Sequence, residues 1–301
     1  MWMKIIKKIG NLPVGQLKVY RITQTLFYLS ALLFLVVRVV MNPHQQLNYL
    51  FIILVIGFQI FLSNLFLLSL NNILVQDLNL SKYQSVIENC HDIKIVPFYP
   101  SKKAIQSDYL LNISVVYFYK GEFQETLESL GKIESLHHFN KGVRDLYSSA
   151  YYQLYFLSKL FRQEEYDIDA IVANMRLLKP RSKKQQAIIN QRLSIIQSLH
   201  EVVKDRKSSD FLETLVPHNE LERLVYSYYQ ALNAQVLGNE EKVQEHFLLL
   251  SKLNDDFYYV REAKEFLDER FQELQENYDE LTDSIVHEHL KNDGGSDVRS
   301  Q

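Results

Sequence analysis

The chain is poor in turn formers, almost free of cysteine and, over its first quarter, free of acid. Glycine and proline together supply fifteen of 301 residues, about 5% where roughly 12% is usual. That scarcity excludes folds built of strands and tight turns and predicts an all-α chain. Cys90 is the one cysteine, which excludes an intrachain disulfide framework and any multi-cysteine zinc or iron–sulfur site. Residues 1–76 hold Lys4, Lys7, Lys8, Lys18, Arg21 and Arg38 with no Asp or Glu, whereas the rest holds 27 Lys/Arg against 36 Asp/Glu. The net charge of -3 therefore joins a segment of +6 to one of -9. No phosphate loop, GxGxxG fingerprint, HExxH pair or GxSxG elbow occurs. The histidines of His137-His138 and His287-Glu288-His289 diverge by about 100° per helical step, too widely to converge on one ion. No catalytic, cofactor-binding or metal-ligating residue is assigned.

What is there in abundance is apolar sequence near the N-terminus. Ile22–Met41 and Leu47–Leu70 are two runs, the first with Arg38 as its one charge and the second with none. About 20 residues at 1.5 Å each match a hydrocarbon core of about 30 Å. The intervening residues 42–46 include Pro43, which stops the first helix, so the runs predict a transmembrane hairpin in the lipid bilayer. Residues 1–21 form a basic flank carrying five Lys/Arg and the loop carries none, which places both ends of the chain in the cytoplasm. Gln59, Ser63 and Asn64 are polar positions within the second span, with Ser30 of the first as the expected partner across the hairpin. Two helices enclose no pore and carry no Asp, Glu or Lys inside the membrane, which argues against transport.

Residues 77–291 read as a cytoplasmic helical domain and 292–301 as a polar tail. Stop and start signals predict helices near Ser81, over Tyr109–Tyr119, Phe123–Leu136, Val143–Phe161, Asp167–Leu178, Lys183–Lys204, Ser209–Leu215, Asn219–Leu237 and Glu240–Leu253, and a last one from Asp255 to about Leu290. Within Leu110–Ile133, the residues Leu110, Ile113, Ser114, Tyr117, Gly121, Phe123, Thr126 and Leu130 resemble the tetratricopeptide repeat, with Ile133 where a small residue is usual. Ala231, Ala234, Gly238, Val243 and Phe247 are similar to it more weakly. The resemblance covers about 60 residues and implies an α-solenoid of stacked hairpins that binds a protein or peptide on its first helices. Carried onto this chain, the contact positions are Asp108, Leu111, Asn112, Val115 and Tyr119. The tyrosines Tyr147, Tyr151 and Tyr155 form a stripe on the next first helix.

The reading is a membrane-anchored adaptor for a protein or peptide, with an integral membrane complex or a second copy as candidate partners. The alternative is an accessory or immunity-type regulatory subunit whose hairpin binds an integral protein. Basic groups at Lys179–Lys184 and Lys204–Lys207 lack interleaved aromatics, and the -9 balance argues against nucleic acid. The richness in Ile, Asn, Lys, Tyr and Phe fits an AT-rich bacterial genome.

Overall fold

The computed structural model describes residues 2–42, 46–90, 102–139 and 143–272. The predicted continuation of the last helix to Leu290, the tail, His287, His289 and most of the hairpin turn lie outside them. Among the described residues there is no strand. Helices α1 (Trp2–Gly10), α2 (Val14–Met41) and α3 (Gln46–Val75) are followed by α4 (Leu80–Cys90), α5 (Lys102–Tyr119), α6 (Phe123–Gly131) and a 3-10 turn at Leu136–His138. Then come α7 (Arg144–Phe161), α8 (Ile168–Arg176), α9 (Lys183–Val203), the single turn α10 (Asp210–Glu213), α11 (Glu220–Val236) and α12 (Glu240–Ser251). A further helix, α13, covers 258–272. Starts are set by side-chain caps: Asp167, Ser182, Asn219 and Asn239 each accept a hydrogen bond from the backbone N–H three residues on, satisfying a donor the helix itself cannot.

Helix α2 begins at Val14, eight residues before the apolar run, because Pro13 fixes the chain direction and nothing between it and Ile22 breaks the helix. α2 and α3 pack antiparallel, with Tyr28 and Leu35 buried between them. At the turn, Asn48 Nδ2 donates to the Asn42 carbonyl at 3.2 Å. α1 lies along another flank of α3, where the Trp2 and Phe61 rings meet edge-on at 5.4 Å. The outer surface stays apolar and open: Phe27, Leu33, Phe34, Ile53 and Leu54 are all more than half exposed. Only 17% and 22% of the most apolar windows of the two helices are buried. Both are long and apolar enough to cross a membrane, and neither is packed as the core helix of a soluble protein would be.

The hairpin is not a separate body on a linker. Leu17 of α2 and Ile73 and Leu74 of α3 belong to one continuous core with Leu80, Tyr83 and Val86 of α4, which runs on to Ala263. Lys82 Nζ caps the end of α1 by donating to the Gly10 carbonyl at 2.6 Å. Within the domain, α5 with α6 and α11 with α12 form the two most extensive helix pairs. The repeat-like positions pack as their chemistry requires. Ser114 and Thr126 are fully buried, as are Ala231 and Ala234, letting the paired helices approach. Gly121 and Gly238 turn the chain at φ +76° and +68°, a region that other residues enter at a cost.

The pairs are not strung out as an open superhelix, in which each repeat meets only its neighbours. α13 returns to the first pair: Tyr258 packs edge-on to Phe123 with ring centroids 4.9 Å apart, and Arg261 Nη2 donates to the Lys120 carbonyl at 2.5 Å. It also meets the last pair, through Tyr259 against Tyr228 at 4.4 Å and Phe266 against Phe247 at 4.8 Å. Just before it, Phe257 packs on Tyr119. The domain closes on an aromatic centre.

Two outcomes test this closure. A Cβ at Gly121 would lie 2.7 Å from Tyr258 Cδ2, whereas one at Gly238 meets open space. Gly238→Ala should therefore cost about 1–2 kcal/mol for the positive φ alone, and Gly121→Ala clearly more, by denaturant titration. Equal costs would mean that α13 does not cover the first turn. Burial also holds phenols neutral, pushing Tyr147 and Tyr258 up to about 12 from the ordinary 10.0. Since the folded value is the higher one, their contribution is complete below pH 10 and is lost as pH rises through about 12. Phenolate absorbance from these groups should stay low at pH 10 and rise only towards pH 12; their ionisation near pH 10 in a fully helical protein would contradict the packing.

Candidate functional site: a polar cleft at the base of the hairpin

Helix α9 carries a cation on an apolar stripe, with Ile188, Arg192, Ile195 and Leu199 following one another at helical spacing. The guanidinium of Arg192 is held by a carbonyl and a hydroxyl of α7, its Nη1 donating to the Leu146 carbonyl and to Ser149 Oγ, both at 2.7 Å. Among the described residues no carboxylate forms an ion pair with it. Desolvation lowers its pKa to about 10, opposed by the phenols of Tyr119 and Tyr226, so it stays charged at neutral pH.

Arg192 faces a cleft of about 370 Å³ bounded by the end of α3 and by α5, α7, α9 and α11. Asn71 and Val75 of α3 form one wall, and Tyr119, Gln153, Glu222 and Tyr226 stand around the rest. Gln191 Nε2 donates to Tyr226 Oη at 3.0 Å. Glu222 Oε2 accepts from the His218 backbone N–H at 2.8 Å, which fixes the carboxylate on the first turn of α11. Burial pushes the Tyr119 and Tyr226 phenols up to about 12, and both feel Arg192 and Glu222 together. A cation and a carboxylate thus flank the same two phenols without pairing with each other. Such a site can hold an oxyanion at one end and a donor at the other. It has no activated nucleophile; Cys90 lies elsewhere, in the core, where burial pushes its thiol up. Among the described residues no group of three His, Cys, Asp or Glu is placed to hold a metal ion.

Of the eight positions predicted to bind a partner, Tyr119 alone lines this cleft. Leu111 is buried in the core. Asn112 Oδ1 accepts from Tyr83 Oη at 3.1 Å, so α4 lies over the face of α5 where the repeat would leave a ligand surface. Val115 is half-buried, and Asp108 sits near Tyr147, whose phenol its charge raises. Tyr147 packs edge-on to Phe139 at 5.4 Å. Tyr151 and Tyr155 do share a stripe, their rings parallel within 3° at 6.5 Å, with Tyr152 edge-on to Tyr151. They are half-buried and form a separate aromatic patch on α7. The cleft's own signal in the sequence was Arg192, an arginine where the stripe calls for an aliphatic residue.

Within the hairpin, Gln59 and Ser63 do share one face, but their partner is Gln24, whose Nε2 donates to Gln59 Oε1 at 3.4 Å and Ser63 Oγ at 3.3 Å. Ser30 is exposed; it lies six residues further along α2, roughly a third of a turn off Gln24's face. Asn64 is exposed as well. Arg21 extends the seam, its Nη1 donating to Gln24 Oε1 at 3.5 Å and its guanidinium lying 4.4 Å over the Phe66 ring.

Replacing Gln59 and Ser63 together by Leu should loosen α2 from α3, seen as a loss of about 0.5–2 kcal/mol in unfolding of the full chain in detergent. Asn64→Leu should leave that stability unchanged; the reverse order would show that the seam is misassigned. No known protein family, no curated protein and no solved structure matches the chain.

Proposed function

We propose that the chain is a membrane-anchored adaptor, with both termini in the cytoplasm and a helical-repeat domain that holds a protein or peptide partner at the membrane surface. The observation that carries this reading is the joint between an openly apolar helical hairpin and a polar, acidic domain through one continuous core. A bilayer is the environment in which that exposed apolar surface is stable, and a shared core fixes the domain at a set height above it. Tethering of this kind raises the effective concentration of domain and partner on one surface. The repeat-like hairpins and the Tyr151–Tyr155 patch supply amphipathic rings of the kind that anchor protein ligands. A second reading is favoured by Asn64, a polar side chain on the outward face of the second span. There the hairpin itself binds an integral membrane protein, as an accessory or immunity-type subunit would.

Because α4 packs on α2 and α3, the tests use the full chain. In a Cys90→Ala background, a membrane-impermeant thiol reagent should label Asn42→Cys in intact cells and Lys252→Cys only after permeabilisation; the opposite pattern would reverse the orientation. A photo-crosslinking residue at Tyr151 or Tyr155 in native membranes should yield a discrete protein adduct absent from Lys252. An adduct from Asn64 alone selects the second reading, and adducts from none of these positions defeat both.

A further inference from the structure

The cleft and the free face of α3 form one surface. α3 is covered on one side by α1, through Phe61, and on another by α2, through Gln59, Ser63 and Phe66. The third side holds Ile60, Asn64, Leu67, Leu68, Asn71 and Val75, which lie on one face of the helix by their spacing. Leu67 and Leu68 are 53% and 51% exposed, and Asn64 and Asn71 are exposed too. Below them, Asn71 and Val75 become the wall of the cleft that holds Arg192 and Glu222. An apolar track leads from the spanning part of α3 into a site with a cation and a carboxylate.

We propose that this cleft takes the headgroup of a phospholipid bearing a free amine, its phosphate against Arg192 and its ammonium toward Glu222, with its acyl chains along the uncovered face of α3. The inference rests on α2 and α3 spanning the bilayer. Three observations favour a lipid over a soluble anion or a peptide end. The volume of about 370 Å³ is at the small end of ligand sites and suits a headgroup. Its charges are of both signs, Arg192 lacking a carboxylate partner among the described residues, so a zwitterion fits where a plain anion would meet Glu222. And the approach to the cleft along α3 carries the exposed Leu67 and Leu68 and no charged side chain, its polar groups being the amides of Asn64 and Asn71.

Native mass spectrometry of the full chain released from maltoside micelles tests this, with phosphatidylethanolamine, the matching phosphatidylcholine and free phosphoethanolamine as probes. The wild type should retain one phosphatidylethanolamine, and Arg192→Gln and Gln153→Trp should each weaken it by about tenfold or more. Glu222→Gln should erase the preference for the free amine over choline. Gln153→Trp fills the cleft without removing the contacts of Arg192, so its effect stands even where Arg192→Gln perturbs folding. Equal retention by wild type and both cleft variants would overturn the proposal. Binding of free phosphoethanolamine as tight as that of the lipid would overturn the lipid assignment. The thiol-labelling result reports separately on the bilayer reading, since the micelle measurement does not depend on orientation.

Discussion

Everything in this molecule hangs on the burial of α4. That short helix follows α3 after a turn of four residues, and its apolar face has to be covered. It meets Leu17 of α2 and the last turns of α3 on one side and α5 on the other. Burying side chains of this size stabilises by about 1.5–3 kcal/mol each, which a flexible tether could not supply. The apolar hairpin and the domain are therefore one folded unit, and the direction in which the domain leaves the hairpin is a consequence of that packing.

Two arginines set the polar logic of the unit. Arg21 lies within the hairpin seam with a glutamine and an aromatic ring as companions, while Arg192 stands in the cleft with a carbonyl, a hydroxyl and two phenols nearby. A desolvated charge is tolerated only where dipoles replace water. In the seam Gln24 and Phe66, both of the hairpin, pack against the guanidinium and leave no cleft beside it. In the cleft there is room left over, and that difference separates a structural cation from a receptive one.

The helices were legible from the sequence because caps and breakers are local. Asp167, Ser182 and Asn219 cap as their residue types demand, and the glycines at 121 and 238 turn the chain where the repeat-like spacing requires. The two apolar runs were legible for the same reason, being defined by composition. What lay between elements was not. Ser30 was a reasonable partner for Gln59 by residue type, yet the antiparallel register selects Gln24. The repeat resemblance at Leu110–Ile133 falls on the pair α5 and α6 and is silent on α4, which covers the outer side of α5. Nor does any local signal say that Tyr258 will meet Phe123, since that contact is set by how many hairpins the ring needs to close. Arg192 could have been noticed as a charge in an aliphatic stripe, but its value depends on five helices meeting around it.

The closing role of α13 has a consequence for the order of events at synthesis. The first pair, α5 and α6, is completed by aromatic rings that lie about 140 residues later in the chain. At roughly 5–20 residues per second, the first pair can form while the side chains that seal it have not yet been made. For several seconds the rim of Phe118 and Phe123 stands open beside the ribosome. The nascent domain therefore keeps its aromatic centre uncovered until α13 arrives.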